Sequence, residues 1–177
     1  MPGPSKGHLM EYADISVGSE PAELGSGGST GDWISLKNYD RVAVVFISKG
    51  AASSGQDLKF TVQQAKDNVG GSVKGLNVKH YLVKSSTTAL LDKVNWTKST
   101  VGTTSGSTFK VVKSKEAKLI VIDIGSEELD VDGKFDFVRV NVADTGVTSG
   151  LQWGATLMIP YNAKHPQETT ALVGVQS

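Results

Sequence analysis

Six carboxylates fall within fourteen residues of this chain: Asp123, Glu127, Glu128, Asp130, Asp132 and Asp136. Clustered carboxylates are the hard oxygen donors that Ca2+ takes in sets of about six to eight. The order Asp130-Val-Asp132-Gly133 lacks the third ligand and the closing glutamate at the offsets of an EF-hand loop. On alternating strands several of these groups would also point to opposite faces. The cluster is therefore expected to be a solvated acidic loop, or a patch that meets a basic surface on a partner copy. No metal and no cofactor is assigned to it.

Other chemistry is thinner. The histidines are His8, His80 and His165. His80 alternates in register with Leu76, Val78 and Leu82, which predicts a core or edge histidine and not a general base. No serine sits in a G-x-S-x-G turn. Residues 50–57 (GAASSGQD) space their glycines as a phosphate loop does, but without its lysine and with Asp57 opposing an anion. They read as a hairpin loop. Of the indoles, Trp33 and Trp153 are expected in the core, whereas Trp96, between Asn95 and Thr97, is expected to be exposed and able to stack on a partner or a sugar. No convergent catalytic set emerges, and a non-enzymatic protein is expected.

Charge is neutral overall but segregated. Residues 1–37 hold two lysines against five acids, 38–118 hold thirteen basic residues against five acids, and 119–177 hold three against eight. The basic middle is nearly all lysine with few aromatics, which argues against a nucleic-acid surface and leaves solvated strand faces or complementary patches in a homo-oligomer. There is no cysteine, so neither disulfides nor thiolate metal sites arise. The opening residues lack the apolar core of a secretory leader, and no window approaches the roughly eighteen apolar residues of a membrane span. A soluble, non-secreted chain is expected, with Asn95-Trp96-Thr97 a chance glycosylation match.

The elements that would position these residues are strands. Residues 41–48 (RVAVVFIS) are apolar at almost every position, which predicts a central strand covered on both faces. Period-two alternation marks strands over 58–63, 76–83, 109–112, 118–124, 135–142 and 152–161, the last ending at Pro160. Only 87–94 (TTALLDKV) has a helical pattern. Asp132-Gly133 is a hairpin signal. Residues 18–31 read as a flexible Gly/Ser linker, and residues 12–17 (YADISV) as a short alternating segment able to add as a strand elsewhere. The expected fold is all-β, a single β-sandwich or jelly-roll-like domain over 32–162. An N-terminal arm and linker (1–31) precede it and a tail (163–177) follows. The body is expected to fold without residues 1–24.

The strings GDWISLKNYDRVAVVF (31–46), 58–64, ELDVD (128–132), VRVNVAD (138–144) and MIPYN (158–162) give the body a texture that resembles the capsid decoration, or cement, proteins of tailed bacteriophages. The resemblance implies a β-rich structural protein of the virion surface, made in the host cytoplasm. It would be trimeric, bind the major capsid protein from outside and clamp the junctions between capsomers. It carries over no catalytic residue. Tyr12, Ile15, Val17 and Trp96 are the candidate partner-binding residues, with neither nucleic acid nor membrane as a partner. A carbohydrate-binding module using Trp96 is the alternative.

Overall fold

Strands with one apolar edge must pair that edge with another, and two sheets meeting face to face satisfy all of them at once. The computed structural model describes residues 9, 12–25, 27–49, 57–86, 94–101, 107–111, 116–143 and 152–164, and these form such an all-β sandwich. The strands are β1 (Ser16–Glu23), β2 (Ile34–Ser35), β3 (Tyr39–Ser48), β4 (Leu58–Ala65), β5 (Lys74–Gly75), β6 (His80–Ser86), β7 (Thr97–Thr100), β8 (Thr108–Val111), β9 (Ala117–Gly125), β10 (Phe137–Val142) and β11 (Trp153–Ala163). The first sheet runs β1-β11-β3-β9-β6-β7 and the second β2-β10-β4-β5, with β8 also paired to β4. Every pairing is antiparallel. The segments 50–56 and 87–93, where a hairpin loop and a helical pattern were expected, lie outside the described residues, as does the tail beyond residue 164.

The core is the layer between the sheets. Val42, Val44 and Phe46 of β3 and Ile120, Ile122 and Ile124 of β9 face Phe60 and Val62 of β4 and Val138, Val140 and Val142 of β10. A run of rings ties the layers together. Phe46 meets Phe60 edge-on at 5.0 Å, Phe60 stacks on Phe109 at 5.3 Å, and Phe109 stacks on Tyr81 at 5.2 Å. Such offset and edge contacts add to plain burial.

The segment expected to be a flexible linker is instead an integral edge strand. β1 pairs with β11 from Ser16↔Met158 to Glu23↔Trp153, with register shifts on either side of Ser19. Gly18 sits at the first shift, where a Cβ would lie 2.7 Å from the Met158 side chain. Its glycine therefore serves a close approach and not flexibility. Pro21 is tolerated because β1 is an edge. Leu24 follows at 0% exposure, its N–H donating to the Gln152 carbonyl at 2.8 Å. Residues 27–33 then cross to the second sheet, with Ser29 bridging Val142. Gly31 again permits contact, since a Cβ there would come within 2.2 Å of the Val140 carbonyl oxygen.

Two further expectations change. The strand over 76–83 is interrupted: Leu76 and Val78 are buried beside the second sheet, and β6 then joins the first sheet with the opposite phase. Tyr81 and Val83 turn inward, while His80 and Leu82 turn out. A change of sheet resets which side faces the core, which alternation alone does not reveal. Pro160 also does not end its strand, because β11 continues to Ala163. Its carbonyl accepts from the Asp14 N–H at 2.9 Å, so the side lacking a donor faces the sheet-edge segment and not β3.

Phe60→Ala is expected to cost about 4 kcal/mol in a denaturant melt, as deletion of a fully buried ring does. Removing residues 1–24 deletes β1 and Leu24 and should broaden or abolish the cooperative transition, whereas removing residues 1–8 should leave it in place. A sharp wild-type-like melt of the longer truncation would show that β1 is dispensable.

Candidate functional site

On the outer side of the first sheet, the register aligns side chains into rows. Val17 pairs with Leu157, Leu157 with Val45, Val45 with Val121, and Val121 with Leu82. This apolar row spans β1, β11, β3, β9 and β6. The next row holds Ala155, Ile47 and Leu119, and the one on the other side Ile159 and Ala43. Ile15, Val17, Ile47 and Leu82 are well exposed, and the other apolar members are half-buried by their neighbours alone. With strands about 4.8 Å apart and same-face residues about 7 Å apart along a strand, the patch covers on the order of 400 Å². A contiguous apolar patch of that size is comparable to the largest patch on a typical monomer, and such patches are often functional. β3 was expected to be covered on both faces; among the described residues only its inner face is covered by the second sheet.

The face has distinct ends. At one, Arg41 donates to Asp123 from Nη2 at 2.9 Å and from Nε at 3.2 Å, and from Nη1 to Glu127 at 3.3 Å. Nε also donates to the Tyr161 hydroxyl at 3.0 Å, which in turn donates to Asp123 Oδ1 at 2.8 Å. These bonds, led by those to Asp123, raise the Arg41 pKa above the usual guanidinium range, and burial raises that of Tyr161. The network joins β3, β9 and β11 side by side. His80, Lys79, Lys98 and Glu128 complete a shallow pocket of about 320 Å³ beside it. His80, expected as a core or edge histidine, is exposed there on an inner strand of the sheet and makes no hydrogen bond to Asp123. Asp123 is committed to Arg41 and Tyr161, so no base and orienting acid are paired. At the other end stand Trp153 and Trp96, each 43% exposed. Trp153 is displaced from its expected core place because Gly154 is the inward residue, packed against Phe46. The Lys84 ammonium lies 4.8 Å over the Trp96 ring and occupies one side of that indole.

The acidic run does not converge. Asp123 and Glu127 share Arg41, and Asp130 pairs with Lys74 while accepting the Gly133 N–H at 2.9 Å. Glu128 and Asp132 are exposed, and among the described residues no group of three metal-ligating side chains forms. Asp130 acts as a buckle. Its backbone N–H donates to Gln64 Oε1 at 2.8 Å, its carbonyl accepts from Phe135, and Lys74 lies 4.4 Å over the Phe135 ring. Lys74 and the Gly133 N–H hold the Asp130 carboxyl below its ordinary value.

Of the four expected partner-binding residues, the structure places Ile15 and Val17 at the β1 edge of the apolar face, with Trp96 across it beyond β6. Tyr12 is exposed beside the isolated Ala13↔Tyr161 bridge. The strand-forming arm segment pairs with β11 of its own chain, which removes its backbone from the role of an added strand. Sequence reading missed Val45, Val121 and Leu157. Their signal was present in the unbroken apolar run of β3, but not the knowledge that its second face stays open. Comparison with family models, curated proteins and solved structures finds no match.

A depressed carboxyl pKa stabilises the fold above its unfolded value of about 4 and is lost as pH falls through the lower folded value. The melting temperature of Asp130→Asn should therefore lie below wild type at pH 7, with the gap closing as pH drops toward about 2. A gap that is independent of pH would assign the loss to something other than ionisation.

Proposed function

We propose that this protein is a non-enzymatic structural protein of a phage virion that binds the outside of the capsid and stabilises the junctions between capsomers. The open apolar face of the first sheet is its attachment surface. The observation that carries the reading is the row from Val17 to Leu82, continuous across five strands. A face of about 400 Å² is roughly half of one side of a standard protein interface, and the flanking Ile15, Trp96 and Trp153 extend it toward that size. An aliphatic middle, with the Arg41 ion-pair network at one end and two exposed indoles at the other, suits a binding patch with a dry centre and a polar rim.

Attachment of this kind needs no chemistry. A binder that bridges two capsomers adds its binding free energy to each junction it spans, and repetition over the shell raises the effective concentration of every further contact. The ion-paired state of Arg41, Asp123 and Asp130 supports a structural reading of the charged groups. Self-association into a trimer belongs to the same reading, with the segregated charge as its motive.

Val45 and Val121 are cross-strand partners, so Val45→Glu with Val121→Lys replaces the centre of the face by an ion pair that the sheet tolerates. Co-sedimentation with expanded shells should weaken at least tenfold, about 1.4 kcal/mol, with the melting curve nearly unchanged. Unaltered shell binding by the double variant refutes attachment through this face. Light scattering of both proteins reads the oligomer separately. Loss of a wild-type trimer in the variant, with shell binding intact, would make the face a self-interface.

A further inference from the structure

The outer side of the second sheet is polar, and Arg139 on it has no ion-pair partner among the described residues. Arg139 of β10 lays its guanidinium over the Trp33 ring at 4.4 Å. Its Nε donates to Gln63 Oε1 at 2.9 Å, and the same oxygen accepts from Asn141 Nδ2 at 3.1 Å. Asn141 Oδ1 accepts the Gly31 N–H at 2.9 Å. The guanidinium is thus held in place by its contact with the indole and by an amide relay through β4, β10 and the 30–33 segment. No carboxylate among the described residues pairs with it, and its Nη groups have no protein acceptor there. Burial alone lowers its pKa.

The surroundings are built with the same care. Gly31 brings the 30–33 segment against the Val140 carbonyl, and Gly70, at φ +84°, lets the 66–71 turn close on the Trp33 ring edge. Between these lies a cavity of about 480 Å³ lined by Thr30, Asp32, Asn68, Val69 and Arg139 over Trp33. A rigid guanidinium with its fork free matches a planar carboxylate in two parallel hydrogen bonds. Thr30, Asp32 and Asn68, all exposed beside it, supply acceptors and donors for hydroxyl groups, and the exposed Val69 stands at the rim of this open depression. Asp32 would repel a bare anion but accepts hydrogen bonds from hydroxyls next to a carboxylate.

We propose that this pocket binds an acidic sugar, its carboxylate on the Arg139 fork and its ring hydroxyls on Asp32, Asn68 and Thr30. The site lies on the sheet opposite the apolar face and does not depend on attachment through that face. A pocket of this size takes one sugar ring, for which millimolar affinity corresponds to about 4 kcal/mol.

The test is titration of the full chain, isotope-labelled, with glucuronate, glucose, N-acetylglutamate amide and inorganic phosphate, following the Arg139 Nε–H and Trp33 indole N–H resonances. Glucuronate should shift both saturably at millimolar concentration, and the other three at least tenfold more weakly. Arg139→Lys keeps the charge but loses the fork, and should weaken glucuronate at least tenfold with an unchanged melting temperature. Asp32→Asn should narrow the preference for glucuronate over N-acetylglutamate amide. Equal binding of the amide overturns the sugar assignment, equal binding of phosphate overturns the carboxylate assignment, and no saturable shift with glucuronate overturns the site.

Discussion

The first sheet has apolar residues on both sides, and among the described residues only one side is covered by the other sheet. β3 and β9 carry Val42, Val44, Phe46, Ile120, Ile122 and Ile124 inward, and Val45, Ile47, Leu119 and Val121 outward. The inward set meets the second sheet and supplies the burial that drives folding. The outward set gains only what neighbouring side chains on the same face provide. A polar outer face would have served folding equally well, and the proposed attachment rests on this composition.

The two faces of the sandwich divide the work. Outside the second sheet the register places Thr61 beside Thr108, Lys59 directly opposite Lys110, and Gln63 between Arg139 and Asn141. Like charges facing each other across strands are unfavourable and are tolerated where water screens them. That face is polar, and it carries the proposed ligand pocket, while the proposed attachment surface lies on the other. The lysine excess in the middle of the chain is in part this wet face.

Charged groups at the ends of the strands act as fasteners. Arg41 clamps β9 and β11 onto β3 through Asp123 and Tyr161, and Asp130 with Lys74 clamps the turn before β10 onto β5. These pairs are partly exposed, and such bridges contribute little each to stability. Their value lies in geometry: they fix strand ends that frame the apolar face while keeping the ends wet. A carboxylate held in such a pair is poorly available as a base or metal ligand, and Asp123, Glu127 and Asp130 of the acidic run are held in this way.

The all-β class, and strands over most of β3, β4, β8, β9, β10 and β11, were legible from alternation and β-branched runs, because the period of two is a local property of the chain. The inward faces of β4 and β10 and the burial of Trp33 followed from the same pattern. Three things were decided only by the tertiary structure. β1 hides in a glycine-rich stretch because Gly18 and Gly31 are required where backbones and side chains approach closely, a demand that composition cannot separate from flexibility. The outward turn of His80 and Leu82 follows from β6 changing sheets, which resets the phase of the alternation. The apolar face and the Arg139 pocket are assembled from residues far apart in the chain, Val17 with Leu157 and Trp33 with Arg139. Sequence records what each side chain offers; only register and sheet pairing determine what it stands beside.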